Sequence, residues 1–195
     1  MKYTACYANS EMVELTAEEI EYAVRHGVRM RKVSIQRNHK NHENYNPDDK
    51  KAMRVQCLGA LAEACVFKAL GLEIVLTSET FNVEDLPGGV QVRLIGADHY
   101  GLRVYPKDDP EWKVVGVVIP VGQERLGKYR IAGWCFAHEA QSNVDWQMAP
   151  CGRPPMYCAP QSALHHPDSL RKLIDIDKPQ IESTQCPQYT QLRLL

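Results

Sequence analysis

The sequence predicts an α+β fold, with a mixed, largely antiparallel sheet, flanking helices and an extra helix at the N-terminus. Helical patterns extend to Gly71, and from Glu73 onward the hydrophobic period changes to that of short strands. Residues 97–112 are rich in turn formers and leave no room for a long crossover helix, which favours an antiparallel meander. The 195 residues, 44% of them hydrophobic, are enough to bury a core without metals or disulfides.

The first helix is predicted to begin after Thr16, because Thr16 and Glu19 form a capping box, and to run to about Gln36. Helical spacing places Ala23, Gly27 and Arg31 on or near one face. A polar loop follows at about 38–47. The end of the helix and the loop are basic, which indicates either a solvated amphipathic helix or a surface for nucleic-acid phosphates. The candidate nucleic-acid-binding residues are Arg25, Arg29, Arg31, Lys32, Arg37 and Lys40.

The second helix is predicted to start at a cap formed by Asn46 or Asp48 and to run to Leu70. Between Val55 and Phe67 its only charged residue is Glu63, so the helix reads as buried. An ionised carboxylate in such a place is costly unless a cation, a metal or a hydrogen-bond donor compensates it. Glu63 is therefore either a functional carboxylate or the partner of a basic residue in the fold. Gly59, one turn earlier, would allow another backbone or a ligand to come close.

The remainder of the chain is predicted to form short strands and two short helices. One helix covers 136–141, and Asp168 is expected to cap another over 169–174. Prolines make 153–160 extended. The predicted strands are 73–77, 80–85, 90–96, 101–105, 113–120 and 129–135.

A hairpin is predicted to bring together three polar side chains. Asp85 ends one strand, residues 86–89 form a turn, and the chain returns as 90–95. Gln91 and Arg93 point to the same face, because side chains alternate along a strand. If the second helix brings Glu63 over, the set could hold a divalent cation and a phosphate together.

These motifs, in this order and spacing, resemble the PD-(D/E)xK nuclease superfamily, and more narrowly its small phage-encoded members. The matching segments are GALAEACVFKALG, DLPGGVQVR, GLRVYPKDDP and RIAGWCFAHEA, within about 58–173. The resemblance implies a restriction-endonuclease-like core, with Glu63 and Asp85 as metal-binding carboxylates. Gln91 takes the place of the second hairpin acid, as a metal ligand, and Arg93 that of the lysine. The four residues would be catalytic, with Mg²⁺ or Mn²⁺ as the cofactor.

The function implied by the resemblance is metal-dependent hydrolysis of phosphodiester bonds, in DNA in preference to RNA. Gln91 brings no charge and weakens metal binding, and Arg93 cannot act as a base, although it can clamp a phosphate oxygen. The alternative is a weak or inactive nuclease-like module that binds nucleic acid or a host (defence) protein. A virion structural or assembly protein is a third hypothesis, which rests on the phage resemblance alone.

Organisation and location are predicted from composition. Segment 1–46 is the N-terminal helix and polar loop, 47–178 the nuclease-like core, and 179–195 a tail. Seven cysteines without regular spacing suit a reducing cytoplasm, that of the host if the protein is phage-encoded. No apolar run is long enough for a membrane helix. The sequence does not decide between a monomer and a homodimer. It also leaves undecided whether Cys135, His138, Cys151 and Cys158 form a zinc site, since their spacing is looser than is usual for structural zinc.

Overall fold

The fold of the protein is α+β, as the sequence predicts. A computed structural model describes residues 10–36, 49–77, 84–96, 100–119, 122, 126–149 and 154–176. This part of the chain contains four α-helices, two single-turn 3-10 helices and seven strands. The helices are α1 (Ala17–Gln36), α2 (Asp49–Ala69), α3 (Ala137–Gln141) and α4 (Pro167–Ile176). The strands are β1 (Glu11–Glu14), β2 (Val90–Ile95), β3 (Leu102–Val104), β4 (Lys113–Val118), β5 (Lys128–Phe136), β6 (Gln147–Met148) and β7 (Met156–Ala159).

The strands form two sheets. A four-stranded sheet has the order β1-β5-β4-β2, and a three-stranded sheet has the order β3-β7-β6. Only β2 and β4 are parallel among the paired strands of the described ranges, so the prediction of a mixed, largely antiparallel arrangement is confirmed. The predicted meander after β2 is wrong. The chain instead leaves β2 for β3 in the second sheet and returns as β4 beside β2, because a parallel partner requires a crossover.

The four-stranded sheet separates two hydrophobic cores. On β4, Val115 and Val117 pack with α2 and α4, whereas Val114 and Val118 pack with the second sheet and α3. A strand that is buried on both faces reads as a continuous apolar run, which is what residues 113–118 show. The sheet thus lies between a helical layer and a smaller β layer.

Helix α1 starts where the capping box predicts. The Thr16 hydroxyl accepts the Glu19 N–H at 3.2 Å, and the Glu19 carboxylate accepts the Thr16 N–H at 2.6 Å. The helix then packs against α2 at Gly27, where an added Cβ would lie 2.5 Å from the Cys57 Cα. No other described segment comes close at Gly59, since nothing outside its own helical turn lies within 4 Å of a Cβ built on it, and the approach of a ligand there stays a prediction. The helix–helix contact that requires a glycine is therefore made by Gly27 on α1 and not by Gly59 on α2.

Three local predictions differ from the structure. Residues 72–77 form no strand, and the predicted strand at 80–85 lies outside the described residues except at 84–85, which are not in a strand. Helix α4 begins at Pro167, so Asp168 lies in its first turn rather than capping it, because proline suits the first helical position. Strand β1 was not predicted. It pairs with β5 and adds the N-terminal segment to the main sheet.

Several further predictions concern residues outside the described ranges. The caps proposed at Asn46 and Asp48, the loop at 38–47 and the tail at 179–195 all lie outside them. The domain boundaries stay a prediction for the same reason. In the part of the chain that the structure describes, no helix combines the length and the apolar character needed to cross a bilayer.

Candidate functional site

The candidate site is built around the turn that leads into β2. Gly88 and Gly89 have φ angles of 83° and 72°, values that glycine adopts without strain, so the chain reverses within residues 86–89. The Asp85 N–H donates to the Val90 carbonyl at 3.0 Å, which closes the turn. This geometry aims the Asp85 side chain back along β2, where its Oδ2 accepts the Val92 N–H at 2.7 Å. The carboxylate is therefore fixed against the backbone of the strand.

Glu63 on α2 and Asp85 at the turn influence each other electrostatically. Burial is the main cause that raises the pKa of Glu63 to about 8, and the neighbouring Asp85 carboxylate raises it further in the same direction. Both residues are partly buried, and two partly buried carboxylates that repel each other favour a shared proton or a bound cation. The alternative in which Glu63 neutralises a basic residue finds no support here, because no described cation forms an ion pair with Glu63.

Gln91 and Arg93 lie together on the other face of β2. Gln91 is 4% exposed, and its Oε1 accepts a hydrogen bond from Arg93 Nη1 at 3.2 Å. The Arg93 guanidinium also stands 5.9 Å from the centre of the Tyr105 ring, within range of a cation–π contact. The shared face predicted from the period of two is thus present, and the amide and the guanidinium are in direct contact.

Asp108 is a member of this site that sequence reasoning missed. Its side chain is buried, with 4% exposure for the residue, and its Oδ1 accepts from Arg93 Nη2 at 3.4 Å. Its Oδ2 accepts the Tyr105 N–H at 2.8 Å. The sequence shows Asp108 only as part of a Lys-Asp-Asp-Pro turn, where aspartate is common for local reasons. The paired acids of that turn were the available signal, but they do not show which of the two is buried.

Asp85 connects the two halves of the site. Burial raises its pKa, and the Asp108 carboxylate acts in the same direction, whereas the Val92 N–H and the Arg93 guanidinium lower it. Asp85 therefore interacts both with Glu63 on the helix side and with the Arg93–Asp108 pair on the opposite side. The interactions therefore run from Glu63 to Asp85 and from Asp85 to Arg93 and Asp108, and Gln91 joins them only through its hydrogen bond with Arg93.

The donor set is chemically suitable for a hard divalent cation, although it is small. Glu63 and Asp85 supply carboxylate oxygens, which Mg²⁺ and Mn²⁺ prefer. The Gln91 oxygen already accepts from Arg93, so Gln91 is the weakest of the three proposed ligands. Within the described ranges, no three or more carboxylate, imidazole or thiol side chains are grouped to hold a metal ion. The metal and catalytic roles of the four predicted residues stay predictions.

The predicted basic surface on α1 is only partly present. Arg25, Arg29 and Lys32 are exposed on one helical stripe, and Arg25 forms an exposed ion pair with Glu21. Arg31 is 9% exposed, so its placement on a phosphate-binding surface is wrong. Helical spacing turns it toward α2, on the same side as Gly27. Arg37 and Lys40 lie outside the described residues.

The described part of the chain does not support the zinc alternative, since Cys135, His138 and Cys158 form no metal-binding group there. Cys135 is buried, and burial together with the Glu139 carboxylate raises the pKa of its thiol to about 12. His138 Nδ1 lies 2.9 Å from the Pro110 carbonyl oxygen. Cys158 contributes to no metal-binding group of the described residues, and Cys151 lies outside them.

Comparisons of the chain with known protein families, with curated proteins and with solved structures found no match. The resemblance to the PD-(D/E)xK superfamily therefore rests on the sequence motifs and stays a prediction.

Proposed function

We propose that the protein is a metal-dependent nuclease of the PD-(D/E)xK type that hydrolyses phosphodiester bonds in DNA. The observation that carries the proposal is the position of Glu63 and Asp85. They come from distant parts of the chain, both are partly buried, and Asp85 acts on the charge of Glu63. Such a pair is costly in the absence of a positive partner, and functional sites are where proteins keep such arrangements. The restriction-endonuclease-like core belongs to the same proposal.

Each residue of the site has a distinct task in this proposal. Glu63 and Asp85 would hold Mg²⁺ or Mn²⁺, which when bound supplies a more acidic water and neutralises charge on the phosphate. The Val92 N–H keeps Asp85 in place. Arg93 binds a non-bridging oxygen of the scissile phosphate and stabilises the charge that develops there. Because a guanidinium does not release its proton, a water molecule or the substrate must accept the proton of the nucleophile.

The exposed stripe of Arg25, Arg29 and Lys32 would contact the nucleic-acid backbone away from the reacting phosphate. Such contacts are independent of sequence and weaken as salt increases. Binding of DNA should therefore fall when the three residues are replaced by glutamine, whereas cleavage of bound substrate should change little. A dimer and a location in the host cytoplasm are compatible with this activity and remain predictions.

Cleavage assays with site variants test the activity. Purified wild-type protein is incubated with supercoiled plasmid, single-stranded DNA and RNA in Mg²⁺ or Mn²⁺. Glu63→Gln and Asp85→Asn should lower the cleavage rate by about 100-fold or more while the proteins stay folded. Asp109→Asn is the matched control, since Asp109 is exposed and, among the described residues, its side chain accepts only the nearby Glu111 N–H. An absence of nicking by the wild type under all these conditions would refute the nuclease proposal.

A second candidate is the nuclease-like binding module, and the engagement of Arg93 favours it. The guanidinium already donates to Gln91 and Asp108, and a neutral amide stands where the superfamily pattern has an acid. A module of this type would retain salt-sensitive binding of DNA without cleavage and without uptake of Mn²⁺. If it binds a host protein instead, affinity for nucleic acid is absent and a stable complex with that protein forms.

A further inference from the structure

Three hydrogen-bond acceptors and one aromatic ring hold the Arg93 guanidinium in place. Nη1 donates to Gln91 Oε1 at 3.2 Å and lies 3.5 Å from the Val92 carbonyl oxygen, and Nη2 donates to Asp108 Oδ1 at 3.4 Å. The ring of Tyr105 stands beside the guanidinium. A long, flexible side chain is thereby restricted to one orientation, at the cost of its rotamer freedom.

One donor of this guanidinium has nothing to bind. Arg93 Nε is buried and has no hydrogen-bond acceptor among the described residues. A buried donor without a partner is costly, because it has lost the hydrogen bond that water gives it in the unfolded chain. Guanidinium N–H groups in a fixed fork match the oxygens of a phosphate.

Asp108 is itself fixed by its surroundings. Its Oδ2 accepts the Tyr105 N–H at 2.8 Å, and its backbone carbonyl accepts from Gln141 Nε2 on α3 at 2.9 Å. The same amide group donates to the Tyr105 carbonyl at 3.0 Å. These bonds tie the turn at 105–108 to α3, so that the carboxylate is held firmly next to Arg93.

We infer that Asp108 is a positioning residue, which orients the Arg93 guanidinium so that an N–H not engaged by its protein partners is presented to one oxygen of a phosphate group; the Arg93 side chain keeps 27% of its surface exposed for this contact. The inference deepens the proposed function and takes its substrate class from it. Asp108 does not touch the substrate and acts only through Arg93. A carboxylate also lowers the positive potential next to Arg93, so its presence is a disadvantage for simple anion binding. The fixed orientation of the Arg93 guanidinium would offset this loss of positive potential.

The test observes Arg93 directly and does not depend on cleavage. The Nε–H resonance of Arg93 is recorded by NMR in ¹⁵N-labelled protein, assigned by its loss in Arg93→Lys, and followed during titration with inorganic phosphate against sodium chloride of equal ionic strength. In the wild type the resonance should be protected from exchange with water and should shift saturably with phosphate. In Asp108→Asn, which keeps an acceptor for the Tyr105 N–H, the exchange rate should rise about tenfold or more. Asp109→Asn should behave as the wild type.

Either of two results would overturn the inference. One is an Arg93 resonance that ignores phosphate in the wild type. The other is an Asp108→Asn variant in which both the exchange rate and the response to phosphate are unchanged. If the wild type cleaves DNA, a positioning role also predicts a fall in kcat of about 100-fold with KM nearly unchanged or lower, since the removed charge was negative. If it does not cleave DNA while the NMR results hold, the nuclease proposal fails and the oriented phosphate site remains.

Discussion

Replacing Glu63 by glutamine should make the cation-free protein more stable at neutral and alkaline pH. Glutamine keeps the size of the side chain and one carbonyl oxygen, but it has no proton to lose. In the wild type, the unfolded chain releases the Glu63 proton from its usual pKa of 4.5 upward, whereas the folded protein holds it until about pH 8. The unfolded state therefore binds fewer protons over this interval, and the stability of the wild type falls as pH rises.

The size of the effect follows from the two pKa values. Each pH unit between 4.5 and about 8 changes the free energy of unfolding by about 1.4 kcal/mol. The accumulated loss is about 3 kcal/mol at pH 7 and about 5 kcal/mol once the folded state has also ionised. Below pH 4.5 the carboxyl is protonated in both states, so this contribution disappears. Losses of this size are a large part of the total stability of a domain.

Urea denaturation across this pH range measures the effect. Wild type, Glu63→Gln and the exposed control Glu14→Gln are unfolded in the presence of a chelator and a thiol reductant. The difference in stability between Glu63→Gln and the wild type should grow with pH, whereas Glu14→Gln should follow the wild type throughout. If the difference in the free energy of unfolding between Glu63→Gln and the wild type does not change with pH, Glu63 is not desolvated in solution. The electrostatic reasoning about the site is then wrong.

The same experiment with a divalent cation separates a buried acid from a metal ligand. A ligand that binds only the folded state stabilises it by an amount that increases with the ratio of its concentration to its Kd. Mn²⁺ or Mg²⁺ should therefore recover much of the lost stability of the wild type at pH 8 and have little effect on Glu63→Gln. If Glu63→Gln is more stable as expected and the cations change neither protein, Glu63 is a buried acid that binds no metal.

Two further predictions concern the packing around the site. Gly27→Ala should lower the free energy of unfolding by about 1–3 kcal/mol, because the new Cβ would overlap the Cys57 backbone of α2. Gly59→Ala, which meets no such contact, should be neutral or stabilising by up to about 1 kcal/mol. Equal effects of the two variants in chemical denaturation would contradict the packing of α1 against α2. Trp134→Phe should cost about 2 kcal/mol, because the buried indole N–H donates to the His166 carbonyl and the Ser169 hydroxyl. The partly exposed Trp146, changed to phenylalanine and measured by thermal unfolding, should cost clearly less.

The predictions that succeeded depend on interactions between residues near one another in the chain. Thr16 and Glu19 start α1 because their side chains reach each other's backbone within a single turn. Gly88 and Gly89 reverse the chain, because only glycine takes their φ angles at little cost. Gln91 and Arg93 share a face because side chains alternate along any strand.

The predictions that failed depend on which segments meet. Arg31 has the charge of a phosphate ligand, but it lies on the side of α1 that packs against α2, so its position on the helix decided its burial. Residues 73–77 have the composition of a strand and form none, because a strand exists only if a partner is placed beside it. The parallel pairing of β2 with β4 likewise depends on the route of the chain through β3.

For this protein, local sequence determined the fold class, the start of α1, the turn at 86–89 and the choice of Glu63, Asp85, Gln91 and Arg93 as candidate residues. Tertiary structure decided that Asp85 lies close enough to Glu63 to act on its charge, and that Asp108 rather than Asp109 is buried against Arg93. The physical reason is that capping, turn geometry and side-chain alternation act over a few residues. Desolvation and the interaction of charges depend on which distant segments surround a group, and a linear pattern does not contain that information.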